Sequence, residues 1–484
     1  MEFEIDRAMS NAHSGTMLNS EILSASGLRH RPAWVVCLFA LALLLHLAIL
    51  SFTFPGNDEV SYYDDGKIAL NLIEGKGYSV SYVYRNWLLY EAVLTTAKLQ
   101  NPVTEGTRTT ALKQPAYSLL LAGLFYWFGP KNFFVVFLVH ALIASLTVSL
   151  LFVCLRQTAP FSALALALGT TIYPPFVLHR VTVPESTTLL LSLIAALWFC
   201  LIKIRDRASW GLWVLAGAIG GLAVLTDPVT LPFVGICFCY GAYLDHRNLR
   251  KREAAFGMAL AIALLVMSPW LIRNYLVFDR FPVFKSGALG HIFNWGLHFS
   301  GKGAWISEER MVALENAGRN LSELEEEEAI QRELLSMFPS HWREYVTYDI
   351  PHHFLDFWWD VPRYRDNYSI SYLVGRRIPY LLLFCLALPH LLRTMARLVR
   401  QPRSTLKSMV AETSVLTLIV TYTVVYGVFG AFHTRYRFPV ELGLLMFAST
   451  TLRPVVEHVW KNWLCPLTPE VVRDTSRTIR STAS

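Results

Sequence analysis

The sequence predicts an all-α polytopic membrane protein: a bundle of about ten transmembrane helices with two large loops on the non-cytoplasmic side. Three observations predict it. Hydrophobic residues make up 54% of the 484 positions and charged residues only 16%, whereas soluble chains carry about 25% charge. The apolar residues fall in blocks of roughly twenty, the length that carries a helix across a ~30 Å hydrocarbon core. Arg and Lys cluster after every second block, and the positive-inside rule puts those connections and both termini in the cytoplasm.

Ten blocks are read as spans: 33–53, 132–155, 160–178, 185–204, 210–227, 229–245, 254–272, 378–396, 412–431 and 438–454. The first follows a polar, Ser-rich stretch without a small-residue cleavage site and is read as a signal anchor. The basic clusters that set direction include Lys203–Arg207, Arg247–Arg252 and Arg393–Arg403. "QPAYSLLLAGLFYWFG" (114–129) is apolar but short. As a full crossing it would push Arg247–Arg252 outside, so it is read as a helix in the outer interface, with Tyr126 and Trp127 at headgroup level.

The resulting organisation is a cytoplasmic tail (1–32), an N-terminal membrane module (33–272) that includes an external loop (54–131), a second external loop (273–377), C-terminal spans (378–454) and a cytoplasmic tail (455–484). The acidic run "ELEEEEAIQRELL" (323–335) reads as a solvated helix rather than a metal site. Most of the seven cysteines lie inside apolar blocks, as core residues do, with no disulfide spacing. Membrane topology accounts for the net charge of +7, so nucleic-acid binding is not implied.

Acidic residues are costly near lipid, so carboxylates at span ends carry a functional expectation. The first span exits into "PGNDEVSYYDDGKIALNLIEGKGYS" (55–79). Asp58 and Glu59 stand just outside the membrane there, where a carboxylate can take a proton from a hydroxyl nucleophile. The alternative is that they cap the next helix. Cations also gather at external ends: Lys113, Arg180 in "HRVTVPES" with Glu185 close behind, Arg273 in "SPWLIRN", and Arg435 and Arg437 in "HTRYRFPVE". A cationic rim beside an apolar wall suits a lipid-linked phosphate, because the guanidinium fork matches phosphate oxygens. Snorkelling to headgroups is the competing explanation for any single Arg. Lys113, Arg273 and at least one of Arg435 and Arg437 are therefore expected to converge on one cavity.

Four stretches carry a family resemblance, in order along the chain: the acidic pair after span one with Tyr62 and "ALNLIEGKGYS"; "KQPAYSLLLAGLFYWFGP"; "SPWLIRNYLVFDRFPVFKSGALGHIFNWG"; and "RYRFPVELGLL". The arrangement resembles the GT-C glycosyltransferases, in particular the bacterial branch similar to protein O-mannosyltransferases and lipid A aminoarabinose transferases. The resemblance departs in two places. The gap between Asp58 and Ala69 is about three residues longer than the family's, which makes Asp64 and Asp65 rivals for the equivalent acid. The family's Arg after the fifth span is Asp227 here, in "LTDP".

The resemblance implies a GT-C-like bundle that moves a sugar from a polyprenyl-phosphate donor to a hydroxyl of an envelope glycan, lipid or protein. It places the protein in a bacterial plasma (inner) membrane with both termini cytoplasmic. Mapped residue by residue, it implies Asp58 as general base, with Glu59 and Glu185 shaping the acceptor pocket. Lys113, Arg273, Arg435 and Arg437 would hold the donor phosphate, and Tyr62 and Tyr117 would line the sugar pocket. No cofactor is assigned, and a divalent metal is left open. The alternative function is a transporter or flippase for a lipid-linked glycan.

Overall fold

The structure, a computed structural model, describes Leu28 and residues 32–60, 64–81, 107–279, 293–294, 297, 305–317, 322–359, 373–430 and 434–464. Tyr62, most of both tails and parts of both large loops lie outside the described residues.

The chain is overwhelmingly helical. In order, the helices are α1 (Ala33–Thr53), α2 (Asp64–Ile73), α3 (Pro115–Phe128), α4 (Phe133–Leu155), α5 (Pro160–Ile172), α6 (Pro174–Thr182), α7 (Thr187–Arg207), α8 (Trp210–Thr226), α9 (Leu231–Leu244), α10 (Leu249–Phe278), α11 (Glu308–Ala317), α12 (Glu323–Glu344), α13 (Ile350–Trp359), α14 (Ile378–Arg400), α15 (Pro402–Ser408), α16 (Val410–Phe429) and α17 (Phe438–Val459). A backbone in lipid must satisfy its own polar groups, which is why the apolar blocks become helices.

Helices occupy all ten expected stretches. Among the described residues, six are long and apolar enough to cross a membrane, and a seventh is reached if α5 and α6 form one span. That pair was expected as a single span, 160–178, but it bends by 46°. Pro174 and Pro175 donate no backbone N–H, and the residue before a proline is pushed out of the α region; Tyr173 duly takes φ −62° and ψ 112°. α8 and the segment Pro228–Leu244 are shorter apolar helices. With 14 residues, α3 is too short for a ~30 Å core. It packs Tyr117, Leu121 and Phe125 inward and leaves Tyr126 and Trp127 exposed.

One large core runs through α4, α5, α7, α8, α10, α16 and α17, with Phe152, Trp198, Trp213 and Tyr422 among its buried side chains. A second joins α2 and α3 to α1 and α4 through Ala69, Leu121, Phe125 and Phe137. In the second large loop, Ile306, Met311, Ile330 and Leu334 fasten α11 to α12. α12 begins with a capping box between Ser322 and Glu325. Its solvation is one-sided: Glu323 and Glu327 are buried.

α8 and α10 approach closely through glycines. A Cβ on Gly217 would stand 2.5 Å from the Ala259 carbonyl oxygen, and one on Gly221 2.8 Å from that of Ala263. Small residues at this spacing let membrane helices meet backbone to backbone. Gly221→Val is therefore expected to destabilise by about 1–3 kcal/mol, because backbone cannot swing aside. Gly211→Val in the same helix, with nothing near its Cβ, is the control. Equal thermal unfolding of the two variants in detergent would refute the close approach.

A two-stranded ribbon is the only sheet among the described residues. β1 (Ser79–Ser81) pairs antiparallel with β2 (Thr107–Thr109), Val80 opposite Arg108. Gly75 and Gly77, at φ 73° and 71°, turn the chain out of α2 into β1. The bundle thus has two dissimilar ends. One carries the ribbon, α2, α3 and the starts of α7 and α17. The other carries the Arg- and Lys-rich connections, four of whose cations, Arg205, Arg247, Arg252 and Lys407, line a common pocket.

Candidate active site

A small, polar, charge-lined cavity lies at the ribbon end. Asp65 enters it from the first turn of α2 and Lys113 from the segment leading into α3. Glu185 comes from the turn before α7, Asp227 from the end of α8, and Arg435 with Tyr436 from the 3₁₀ turn before α17. Five chain-distant segments therefore put three carboxylates and two cations around one space.

Each charge has a local reason for its position. Asp65 is only 8% exposed and accepts a 2.6 Å hydrogen bond from Ser118 Oγ of α3. Tyr78 OH donates to the Lys113 carbonyl at 3.0 Å and lies 3.3 Å from Ser118 Oγ, which ties the ribbon, α3 and Asp65 together. Burial, reinforced by the Asp65 charge, pushes the Tyr78 phenol far above its ordinary value, so it stays a donor. Asp64, one residue before, ion-pairs with Lys113 at 3.6 Å. Glu185 is buried between Arg435, with which it forms an ion pair, and His179 Nε2 at 3.4 Å. Asp227 caps the next turn by accepting from the Val229 N–H at 3.2 Å. Tyr422 also lines the cavity, with its buried hydroxyl unpartnered.

Of the residues expected from sequence, Lys113, Glu185 and Arg435 meet in the cavity. Arg273 does not. Its guanidinium donates to the Thr110 and Tyr78 carbonyls at 2.9 and 3.1 Å and lies over the Tyr78, Trp270 and Phe278 rings, clamping the ribbon to α10. Arg437 turns away as well. It binds Glu441 one helical turn on, at 2.8 Å, and sits 3.6 Å over the Tyr380 ring. The expected convergence therefore holds for Lys113 and Arg435 and fails for Arg273, which its own ribbon captures.

Asp58 and Glu59 are exposed on the one-turn segment Asn57–Glu59 and do not line the cavity. The neighbouring Asn57 holds that turn by accepting from the Phe134 N–H at 3.2 Å. Tyr117 is buried in the core, its hydroxyl 2.9 Å from His140 Nε2, and is likewise outside the cavity. Its neighbour Ser118 is the α3 residue that reaches Asp65; adjacent helical positions point about 100° apart. The sequence reading missed Tyr78, Ser118, Tyr422 and Tyr436. Tyr78 had one available signal, its place directly after the Gly75–Gly77 turn. Among the described residues, no group of three or more His, Cys, Asp or Glu side chains is placed to hold a metal ion.

Fold and site together define a polytopic helical membrane protein with a polar, charge-lined cavity at one end of its bundle. The family model of dolichyl-phosphate-mannose-protein mannosyltransferase matches residues 113–272, from Lys113 into α10. This is a family of the GT-C superfamily, and the match supports a membrane glycosyltransferase of the GT-C type. It spans Ser118, Glu185 and Asp227 but neither Asp65 nor Arg435. No curated protein and no solved structure matches the chain.

Proposed function

We propose that the protein transfers a sugar from a polyprenyl-phosphate donor to an acceptor hydroxyl at the non-cytoplasmic face of a bacterial plasma membrane. The observation that carries this reading is the meeting of Asp65 with Lys113 and Arg435 in one cavity of a bundle with a GT-C family match. The general base is Asp65 rather than Asp58, because of the acids that follow α1 Asp65 is the one that lines the cavity, while Glu185 is paired with Arg435 and Asp227 caps a turn.

The acceptor oxygen attacks the anomeric carbon, and its proton passes to Asp65. The bond from that carbon to the phosphate oxygen breaks, and its electron pair leaves with the polyprenyl phosphate. Lys113 and Arg435 meet the charge growing on the phosphate, where preorganised cations act most strongly. Direct attack inverts the anomeric centre. Ser118 fixes Asp65 through their hydrogen bond. Glu185 holds Arg435 until phosphate competes for it.

The direct test is purified protein given labelled polyprenyl-phosphate sugar and an envelope extract as acceptor. Labelled sugar in the acceptor fraction is the expected result. Movement of intact lipid-linked glycan across vesicles without sugar release would instead make the protein a flippase. Orientation has its own test. In intact cells, a membrane-impermeant maleimide should label cysteines placed at Lys76 and Ser340, both exposed, and spare one at Arg250. The reverse pattern would invert the topology.

A further inference from the structure

α14 and α17 run side by side from the ribbon end to the basic end. Near the basic end they leave an open groove that the proposed transfer reaction does not use. Its polar lining is rich in donors. Arg393 and Arg397 come from α14 and Arg453 from α17, all three exposed. Thr394 lines it too, only 1% exposed and with its hydroxyl unpartnered, as does His390, whose buried Nε2 lacks a partner. Pro454 supplies no N–H to the Thr450 carbonyl beside them. The one carboxylate in the groove, Glu457, is engaged by Lys461 at 3.0 Å and Arg453 at 3.8 Å. Among the described residues, Arg393 and Arg397 have no carboxylate within ion-pair distance; Arg397 makes a 3.7 Å contact to Met409 Sδ and feels the Glu412 carboxylate from further off.

Two buried polar groups without a partner are costly, and beside two guanidinium groups that lack a close carboxylate an anion would satisfy them. The groove also has a direction. Leu382, Leu386, His390, Arg393 and Arg397 follow at helical spacing along one face of α14, so exposed apolar surface runs into cationic surface. That sequence matches a molecule with an apolar tail and an anionic head.

We propose that this groove binds the phosphate of an anionic membrane phospholipid, with Arg393, Arg397 and Thr394 on the headgroup and Leu382 and Leu386 along an acyl chain. The inference does not depend on the catalytic reading, because the groove lies at the opposite end of the bundle from Asp65.

The test is lipid retention measured by native mass spectrometry on the full-length protein, delipidated and then titrated with phosphatidylglycerol or phosphatidylcholine. Phosphatidylglycerol should be retained in preference. Arg393→Gln and Arg397→Gln should each weaken it about fivefold, the worth of one cation near an anionic lipid. Thr394→Val should weaken it further, and Thr394→Ser should not. Arg393→Lys, which keeps the charge, should retain most of the preference and guards against misfolding as the cause. A double Arg250→Gln, Lys251→Gln variant, at the same end but outside the groove, should bind as the wild type does. Equal loss in that control would reduce the effect to diffuse surface charge and overturn the site. Equal retention of both lipids would overturn it too. Displacement by millimolar inorganic phosphate as effective as by phosphatidylglycerol would show a phosphate site without a lipid tail.

Discussion

Asp65→Asn is expected to lower sugar transfer by about 10²–10⁴-fold, the usual worth of a well-placed general base. Asparagine keeps the size of the side chain and can still accept from Ser118 through Oδ1, so the cavity should persist while the proton acceptor is lost. Donor-lipid binding should stay near normal, so the loss should fall on kcat rather than KM. Asp58→Asn should turn over like the wild type, since that side chain is exposed and outside the cavity. Asp64→Asn should be intermediate, because it releases Lys113 from its ion pair without touching the base. Transfer measured at equal membrane protein ranks the three. A wild-type rate for Asp65→Asn, together with a collapse for Asp58→Asn, would return the catalytic role to the exposed acid.

Arg435→Gln should cost about 10²–10³-fold in kcat, the range seen when one preorganised group that stabilises transition-state charge is removed. The complication is Glu185, which the substitution would leave buried beside His179 without its guanidinium. Removing one partner of a buried pair commonly costs about 3–5 kcal/mol of stability. The informative experiment is therefore the double variant Arg435→Gln, Glu185→Gln. It should recover membrane accumulation and thermal stability but not activity. Recovery of full activity would mean that Arg435 serves only to neutralise Glu185, and the phosphate role would pass to Lys113 alone.

The helices were legible because lipid imposes one rule on every spanning segment, internal hydrogen bonding over about twenty apolar residues. The break between α5 and α6 was missed: Pro174–Pro175 carries it, but hydropathy averages across it and gives one span, 160–178. The cations divided according to what else lay within reach. Arg435 faces the cavity because Glu185, far away in sequence, draws it there. Arg437, two residues on, has Glu441 one turn along its own helix and Tyr380 beneath it. Arg273 meets ribbon carbonyls that no local pattern announces. The acids divided in the same way. Asp58 and Asp65 both lie close after the first span, and only the packing of α2 on α3, where Ser118 meets Asp65, separates a solvent-facing carboxylate from a cavity-facing one.

The clamp made by Arg273 also bears on how the protein is made. The ribbon is fastened to α10 by a side chain synthesised long after β1 and β2, and Arg435 with Tyr436 arrives only with the last long helix. A nascent chain inserting from its N-terminus thus carries Asp65 and Lys113 into the membrane well before the rest of the pocket exists. Reactive capacity is withheld until the final helix docks and fills the core, so a chain stopped before α17 should be inert.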